Sequence, residues 1–203
     1  RDYHEAILDQ LFPDKKHPVY TRVNNLFVEI EWAIEDDVRD YDFVYDQIVS
    51  MGELISTTIV QAWLVESGLA ANWFDIRGGL RSDNTYREGK IDWQVSQQQV
   101  NDHLLPLLDK QHNLVVTQGF IAGTSENFTT TLGREGSDYT AAILAYLLNA
   151  ESVTIWKDVP GVMTGDPRKF ENVTLLSNIS YEEAIEMAYY GASVIHPKTL
   201  QPL

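Results

Sequence analysis

Residues 138–150, DYTAAILAYLLNA, are apolar on nearly every side of a helix. Such a helix has no face to give to water, so it belongs in the interior of a layered fold. The residues just ahead of it, TTTLGREGS at 129–137, supply three threonines and a tight glycine-flanked turn. NLVVTQGF at 113–120 and SVTIWKDV at 152–159 are short runs with a β-branched bias, and each reads as a buried strand. Strand, turn, buried helix and strand in succession predict an α/β chain with a largely parallel sheet.

The remaining segments fit that class unevenly. Helices are expected over 1–12 and 22–36, broken at Phe12-Pro13-Asp14 and around Pro18. Residues 43–66 place Tyr45, Ile48, Gly52, Ile55, Ile59, Ala62 and Trp63 on a 3.6-residue stripe, a long amphipathic helix ending at Gly68. ANWFDIRG at 71–78 reads as a strand, 78–90 as a polar loop, and 92–110 as a helix bent or broken at Pro106. PGVMTGDPRKF at 160–170 is rich in turn formers, with Pro160-Gly161 suited to a type II turn. Ser180 and Glu183 have the spacing of a capping box for a helix with Tyr181, Ala184, Ile185 and Ala188 on one face. His196-Pro197 starts another helix. Three clear strands and one weak one are few for an α/β domain of 203 residues. With Arg1 in place of a methionine and a helix beginning at the last residues, the chain reads as a piece truncated at both ends.

A formal charge of −15 and a pI near 4.5 disfavour a phosphate backbone as partner, so nucleic-acid binding is not expected. There is no cysteine, which removes disulfides and thiolate metal sites. No run reaches 18 apolar residues, so membrane insertion is not expected either, and a cytoplasmic location is.

Ligands in doubly wound folds sit where strands end and helices begin. Behind the 113–120 strand, the helix that starts near Asp138 would aim its first N–H groups, at Ser137 and Asp138, into such a crevice. Gly133 and Gly136 permit close backbone approach or positive φ, and Arg134 offers a planar fork for a carboxylate or phosphate. The threonine hydroxyls at 129–131 add polar contacts. A plainer reading stands beside this one, in which Ser137 caps the helix and Arg134 is solvated. Likewise Lys157, Asp158 and Arg168 either straddle a polyphosphate or pair among themselves on a surface loop. Glu53 lies beside a glycine close to the apolar stripe of its helix, and is solvated or functional. No spacing makes a metal site, and no GxGxxG follows a strand, which argues against a dinucleotide-binding dehydrogenase.

Taken together, SMGELIST, GFIAG…TTTLGREGSDYTAAILA, IWKDVPGVMTGDPR and GASVIHPKTL resemble the aspartokinases, members of the amino acid kinase family. These motifs occur in order and cover most of residues 40–203, whereas the first forty residues contribute little. The resemblance implies a three-layer αβα sandwich with a mainly parallel sheet. It implies transfer of the ATP γ-phosphoryl group to the side-chain carboxylate of L-aspartate, the first step of lysine, threonine and methionine biosynthesis. Glu53, Arg134 and Ser137 match positions that hold aspartate. Lys157, Asp158, Met163, Arg168 and Ser193 match the nucleotide site, and Asp138 matches an acidic residue that organises the centre. Arg134 and Asp138 would be the catalytic pair, with Mg²⁺ bridging the nucleotide phosphates and few direct protein ligands. A homo-oligomeric parent is expected.

The sequence departs from the family pattern in several places. The opening Lys-Phe-Gly-Gly-Thr-Ser strand and loop is not in this chain, nor are the regulatory ACT domains, so the piece alone is expected to be inactive. Ser193 stands where many relatives carry lysine, and Glu135 puts an acid where an uncharged residue is common, with its side chain expected in solvent. The alternatives are another amino acid kinase, or a module that binds aspartate or ATP without turnover.

Overall fold

Pro18 begins a helix instead of interrupting one, because its missing N–H is at the first turn, where no helical acceptor exists. In the computed structural model, which describes residues 1–35, 40–108, 114–192 and 194–203, helix α1 (Asp2–Leu11) is followed by α2 (Pro18–Glu35) and α3 (Tyr41–Glu66). The chain falls into two units, Arg1–Ser137 and Asp138–Leu203, each described by itself.

In the first unit, α3 packs against α2 and against the strands. Its buried side chains are Asp46, Ser50, Met51, Leu54, Ile55, Thr58, Ile59 and Ala62. The expected stripe holds at Ile55, Ile59 and Ala62, but Gly52 is exposed and Trp63 is 41% exposed against Phe12. Among the described residues α3 is the one helix whose length and composition would suit a bilayer. Its buried Asp46 and part-buried Gln47 are tied to residues 129–131. Leu54 and Ile55 are wholly buried, each stabilising the fold by about 1.5–3 kcal/mol.

Strand β1 (Ala71–Phe74) pairs in parallel with β2 (Leu114–Thr117), Ala71 opposite Leu114 and Phe74 opposite Thr117. The strand is shorter than expected at its C-terminal end. Asp75 accepts a hydrogen bond from the Arg77 N–H and turns the chain into a 3-10 segment, Ile76–Gly78. Helix α4 (Trp93–Gln99) loosens into a π turn and then a 3-10 turn, Leu105–Leu107, around Pro106.

The threonines of 129–131 are a strand, which the sequence reading missed. β4 (Thr129–Thr131) runs antiparallel to β3 (Ile121–Gly123), with Ala122 opposite Thr130. No described strand lies at its other edge; α3 supplies side chains in place of one. The Gln47 amide both donates to the Thr129 carbonyl (2.8 Å) and accepts from the Thr129 N–H (3.0 Å), as a neighbouring strand would. Asp46 accepts from the Thr131 N–H, and Gly89 N–H donates to the Thr131 carbonyl. A buried strand edge is tolerable only when its backbone groups are met in this way.

The second unit begins in helix α5 (Gly136–Leu147), whose Tyr139, Thr140, Ala142, Ile143 and Leu147 are buried, in keeping with its apolar sequence. Residues 152–159 are not a strand. Val153, Ile155 and Lys157 alternate with more exposed neighbours, but no described segment pairs with them, and a β pattern without a hydrogen-bonding partner forms no ladder. The turn-rich segment after it is closed by an antiparallel bridge between Met163 and Leu175. In helix α6 (Tyr181–Tyr189) both halves of the capping box form, Glu183 N–H to Ser180 Oγ at 3.1 Å and Ser180 N–H to Glu183 Oε2 at 2.8 Å. Its apolar face is less covered than its periodicity suggested, with Tyr181 57% and Ile185 41% exposed. His196 caps α7 (Pro197–Leu200) through Nδ1.

Candidate active site

The C-terminal end of β2 is the focus of the first unit. The residue after the strand, Gln118, is 1% exposed and bonded at both ends of its amide: its Oε1 accepts from the Ile76 N–H (2.9 Å) and its Nε2 donates to Thr57 Oγ1 (2.8 Å). Thr57 in turn donates to the Glu53 carbonyl at 2.7 Å, one turn earlier in α3, and accepts from Trp73 Nε1. Gly119 comes next and lies directly on Ser137, where an added Cβ would stand 2.9 Å from Ser137 Cα. The Glu53 backbone, through Thr57, and Ser137, through direct contact, are thereby tied to Gln118 and Gly119, two consecutive residues at the mouth of the parallel pair.

Glu53 is half-buried, and its side chain has no bonding partner among the described residues. Burial pushes its carboxyl above the ordinary value, because the charged form has lost part of its hydration. A cation placed beside it would reverse that penalty.

The turn that carries Arg134 is shaped by its glycines. Gly133 sits at φ +76, in the left-handed region that favours glycine. A Cβ on Gly136 would lie 2.6 Å from the Phe120 ring, so close approach excludes a side chain there. Glu135 itself has φ 54, which makes it the residue that bends the chain into α5. The helix begins at Gly136, so Ser137 sits inside its first turn and is not its cap. Glu135 is intermediate in exposure and not fully in solvent. Arg134 is exposed and without a bonded partner among the described residues. It lines an open cleft of about 540 Å³ with Tyr45, Arg87, Glu88, Phe120 and Gly133.

The threonine hydroxyls expected to meet a ligand are engaged within the protein. Thr129 Oγ1 accepts from Arg77 (3.3 Å), Thr130 Oγ1 shares a 2.5 Å bond with Ser82, and Thr131 Oγ1 donates to Asp46 (2.8 Å). All three are at most 2% exposed, so they build the strand and do not face a crevice.

In the second unit, Asp138 and Lys157 form an ion pair, Nζ to Oδ2 at 2.5 Å, with side chains only 13% and 21% exposed. Arg168 grips Asp166 with two parallel bonds of 3.1 Å, and its side chain is 86% exposed. The Arg168 guanidinium holds the Asp166 carboxyl below its usual range. Lys157 and Arg168 are thus each balanced by a carboxylate of their own unit. Met163 lies in the bridge that closes the 160–176 segment, where Leu176 N–H also donates to the Val162 carbonyl (2.9 Å). Asp158 is exposed beside Lys157. Ser193 lies outside the described residues. Among the described residues no three His, Asp or Glu side chains gather as a metal-binding cluster.

Sequence reasoning missed Asp46, Gln47 and Gln118. The visible signal was a polar residue set among apolar neighbours in a core element; their long-range partners lie 41 to 85 residues away.

Residues 5–203 match the profile of the amino acid kinase family. The chain belongs to the amino acid kinase family. Among curated members it is 45% identical over 157 residues to the lysine-sensitive aspartokinase 3 of Escherichia coli K12, which covers 77% of this chain and 34% of the relative. It is 37% identical over 157 residues to the bifunctional aspartokinase/homoserine dehydrogenase of Buchnera aphidicola, covering 77% of this chain and 19% of that protein. Among solved structures, E. coli aspartokinase III in complex with aspartate and ADP superposes with a TM-score of 0.89 at 38% identity, over 100% of this chain and 44% of the other. The aspartate kinase of Clostridium acetobutylicum gives 0.75 at 25% identity, over 98% of this chain and 39% of the other. The fold is accordingly the α/β amino acid kinase fold, and the chain spans less than half the length of these relatives.

Proposed function

We propose that the protein to which this chain belongs is an aspartate kinase, transferring the γ-phosphoryl group of ATP to the side-chain carboxylate of L-aspartate. The observation that carries the reading is the tie of the Glu53 backbone, through Thr57, and of Ser137 to Gln118 and Gly119 at the end of β2. Glu53, partly stripped of water and unpaired, suits the ammonium of an amino acid. Arg134 suits a carboxylate through its planar fork, and the first turn of α5 at Ser137 adds N–H donors. An acidic and a cationic side chain assigned to the same ligand favour an amino acid over a nucleoside monophosphate. The similarity to an aspartokinase that binds aspartate and ADP supports the same choice.

The acceptor carboxylate is ionised at pH 7, so the reaction needs no strong general base. It needs in-line placement and neutralisation of charge on the transferred group. Lys157, Asp158, Met163, Arg168 and Ser193 are the residues we assign to the nucleotide. Asp138 keeps the Lys157 ammonium in a fixed position. With no acidic cluster among the described residues, Mg²⁺ would be held chiefly by the phosphates, whose charge it offsets. The −15 charge and the lack of cysteine support a cytoplasmic enzyme acting on small molecules, without nucleic-acid or membrane partners. We also assign the full-length protein a homo-oligomeric state.

Calorimetry of the full-length protein with L-aspartate, repeated with Arg134→Ala, tests the assignment. Aspartate binding that the substitution removes is the expected result; a folded protein that ignores aspartate would exclude this function.

A further inference from the structure

Asp46 has a wholly buried carboxylate in the middle of the first unit. One oxygen, Oδ2, accepts two backbone bonds, from Thr131 N–H at 2.8 Å and from Arg87 N–H at 2.7 Å. The other, Oδ1, accepts the Thr131 hydroxyl at 2.8 Å. Among the described residues, these bonds go to two partners only, Thr131 and Arg87. Those two belong to segments that enclose the Gly133-Arg134 turn: β4, which runs straight into it, and the 84–89 loop, which lies over it.

The contact between those segments is close. A Cβ on Gly133 would stand 3.3 Å from the Arg87 carbonyl and 3.4 Å from the Glu88 side chain. Gly89 N–H donates to the Thr131 carbonyl at 2.9 Å. Arg87 is held at φ 68, a left-handed conformation that costs a non-glycine residue energy and persists only where its surroundings impose it. Asp46 accepts the Arg87 N–H in that conformation. Beyond that N–H, the Arg87 guanidinium lies 4.5 Å over the Tyr45 ring and pairs with Asp42, forming one wall of the cleft that Arg134 lines.

We propose that Asp46 is a positioning residue for Arg134: through the Thr131 and Arg87 backbones it fixes the turn and the overlying loop that set where the Arg134 guanidinium can stand. The inference rests on the assignment of Arg134 to the amino acid substrate. Asp46 touches no substrate itself. A buried charge with three hydrogen bonds has one arrangement only, and that is what a substrate clamp on an exposed turn requires.

Asparagine is the informative replacement. Its carbonyl oxygen can keep both backbone bonds that now converge on Oδ2, and its amide can donate to the Thr131 hydroxyl. Asp46→Ala removes all three bonds. In the full-length enzyme, with aspartate and ATP varied separately, Asp46→Ala should raise KM for aspartate about tenfold or more while KM for ATP stays within about twofold. Asp46→Asn should recover most of that loss. A purely structural role would instead lower the melting temperature while leaving KM for aspartate alone, or shift both KM values together; either result overturns the proposal. If Asp46→Ala does not fold, Thr131→Val removes only the hydroxyl bond. It should raise KM for aspartate alone by about threefold, and an unchanged value would count against Asp46. Arg134→Ala, measured alongside, separates the two ideas: if it leaves aspartate affinity intact, the substrate assignment has failed, and the role of Asp46 with it.

Discussion

Gly119 and Ser137 meet so closely that a Cβ on the glycine would lie 2.9 Å from Ser137 Cα and 3.0 Å from its Cβ. The atoms in the way are backbone and Cβ, with no flexible side-chain end to swing aside. A methyl at 119 must therefore push the first turn of α5 off the end of β2. Gly119→Ala should weaken aspartate binding about tenfold, roughly 1.4 kcal/mol, and titration calorimetry on the full-length protein reads this directly. Unchanged affinity would mean that Ser137 does not bear on the substrate.

Glu53 makes a prediction in pH. Its folded-state carboxyl titrates above the 4.5 of an ordinary glutamate because burial disfavours the charge. Below 4.5 the folded and unfolded states are both protonated and Glu53 costs nothing. As pH rises from 4.5 to the raised folded value the unfolded state ionises while the folded state stays protonated, so the penalty builds there and then persists at neutrality. Glu53→Gln should therefore raise the melting temperature at pH 7 and leave it unchanged near pH 3. Aspartate binding should show the opposite benefit of charge, weakening in the wild type as pH falls through the same range. In Glu53→Gln it should be weaker at neutral pH, lack the part of that slope due to Glu53, and approach the wild type at low pH.

These residues were not equally legible in the sequence. The capping box of α6 and the helix start at His196-Pro197 depend on neighbours three residues apart, so spacing alone revealed them. Glu53, Arg134 and Ser137 stand out because their motifs are distinctive. The 152–159 segment shows the opposite case: β-branched alternation gives it the look of a strand, but a ladder needs a partner, and no local pattern says whether one exists. The threonines of 129–131 are too few to display alternation, and their neighbours, Asp46 and Gln47, lie more than eighty residues away. Asp46 sits in a helix whose hydrophobic stripe gave no reason to bury a carboxylate.

Arg168 is highly exposed, and its ion pair with Asp166 is a surface pair of the kind worth little. Arg168→Ala should leave the melting temperature within about 2 °C of the parent. If Arg168 serves the nucleotide, the same substitution should weaken ADP binding about tenfold, because a phosphate group loses a charged hydrogen bond. A change in stability without a change in ADP affinity would assign the residue to the loop and not to the ligand.

The pair Asp138–Lys157 calls for the reverse expectation. Both side chains are largely withdrawn from water, so removing one partner leaves the other charge poorly solvated. Lys157→Ala should destabilise the protein by about 1–3 kcal/mol in urea denaturation, the cost of a part-buried polar group left unsatisfied. Lys157→Met combined with Asp138→Asn removes both charges and should be less harmful than the single change, since an uncompensated ion costs more than no ion. Nucleotide then adds a second measurement. A phosphate would offer Lys157 a second anion while Asp138 continues to hold it in place, so Asp138→Asn should weaken ADP binding even though the lysine remains. Undiminished ADP affinity in Asp138→Asn would show that Lys157 needs no such holding.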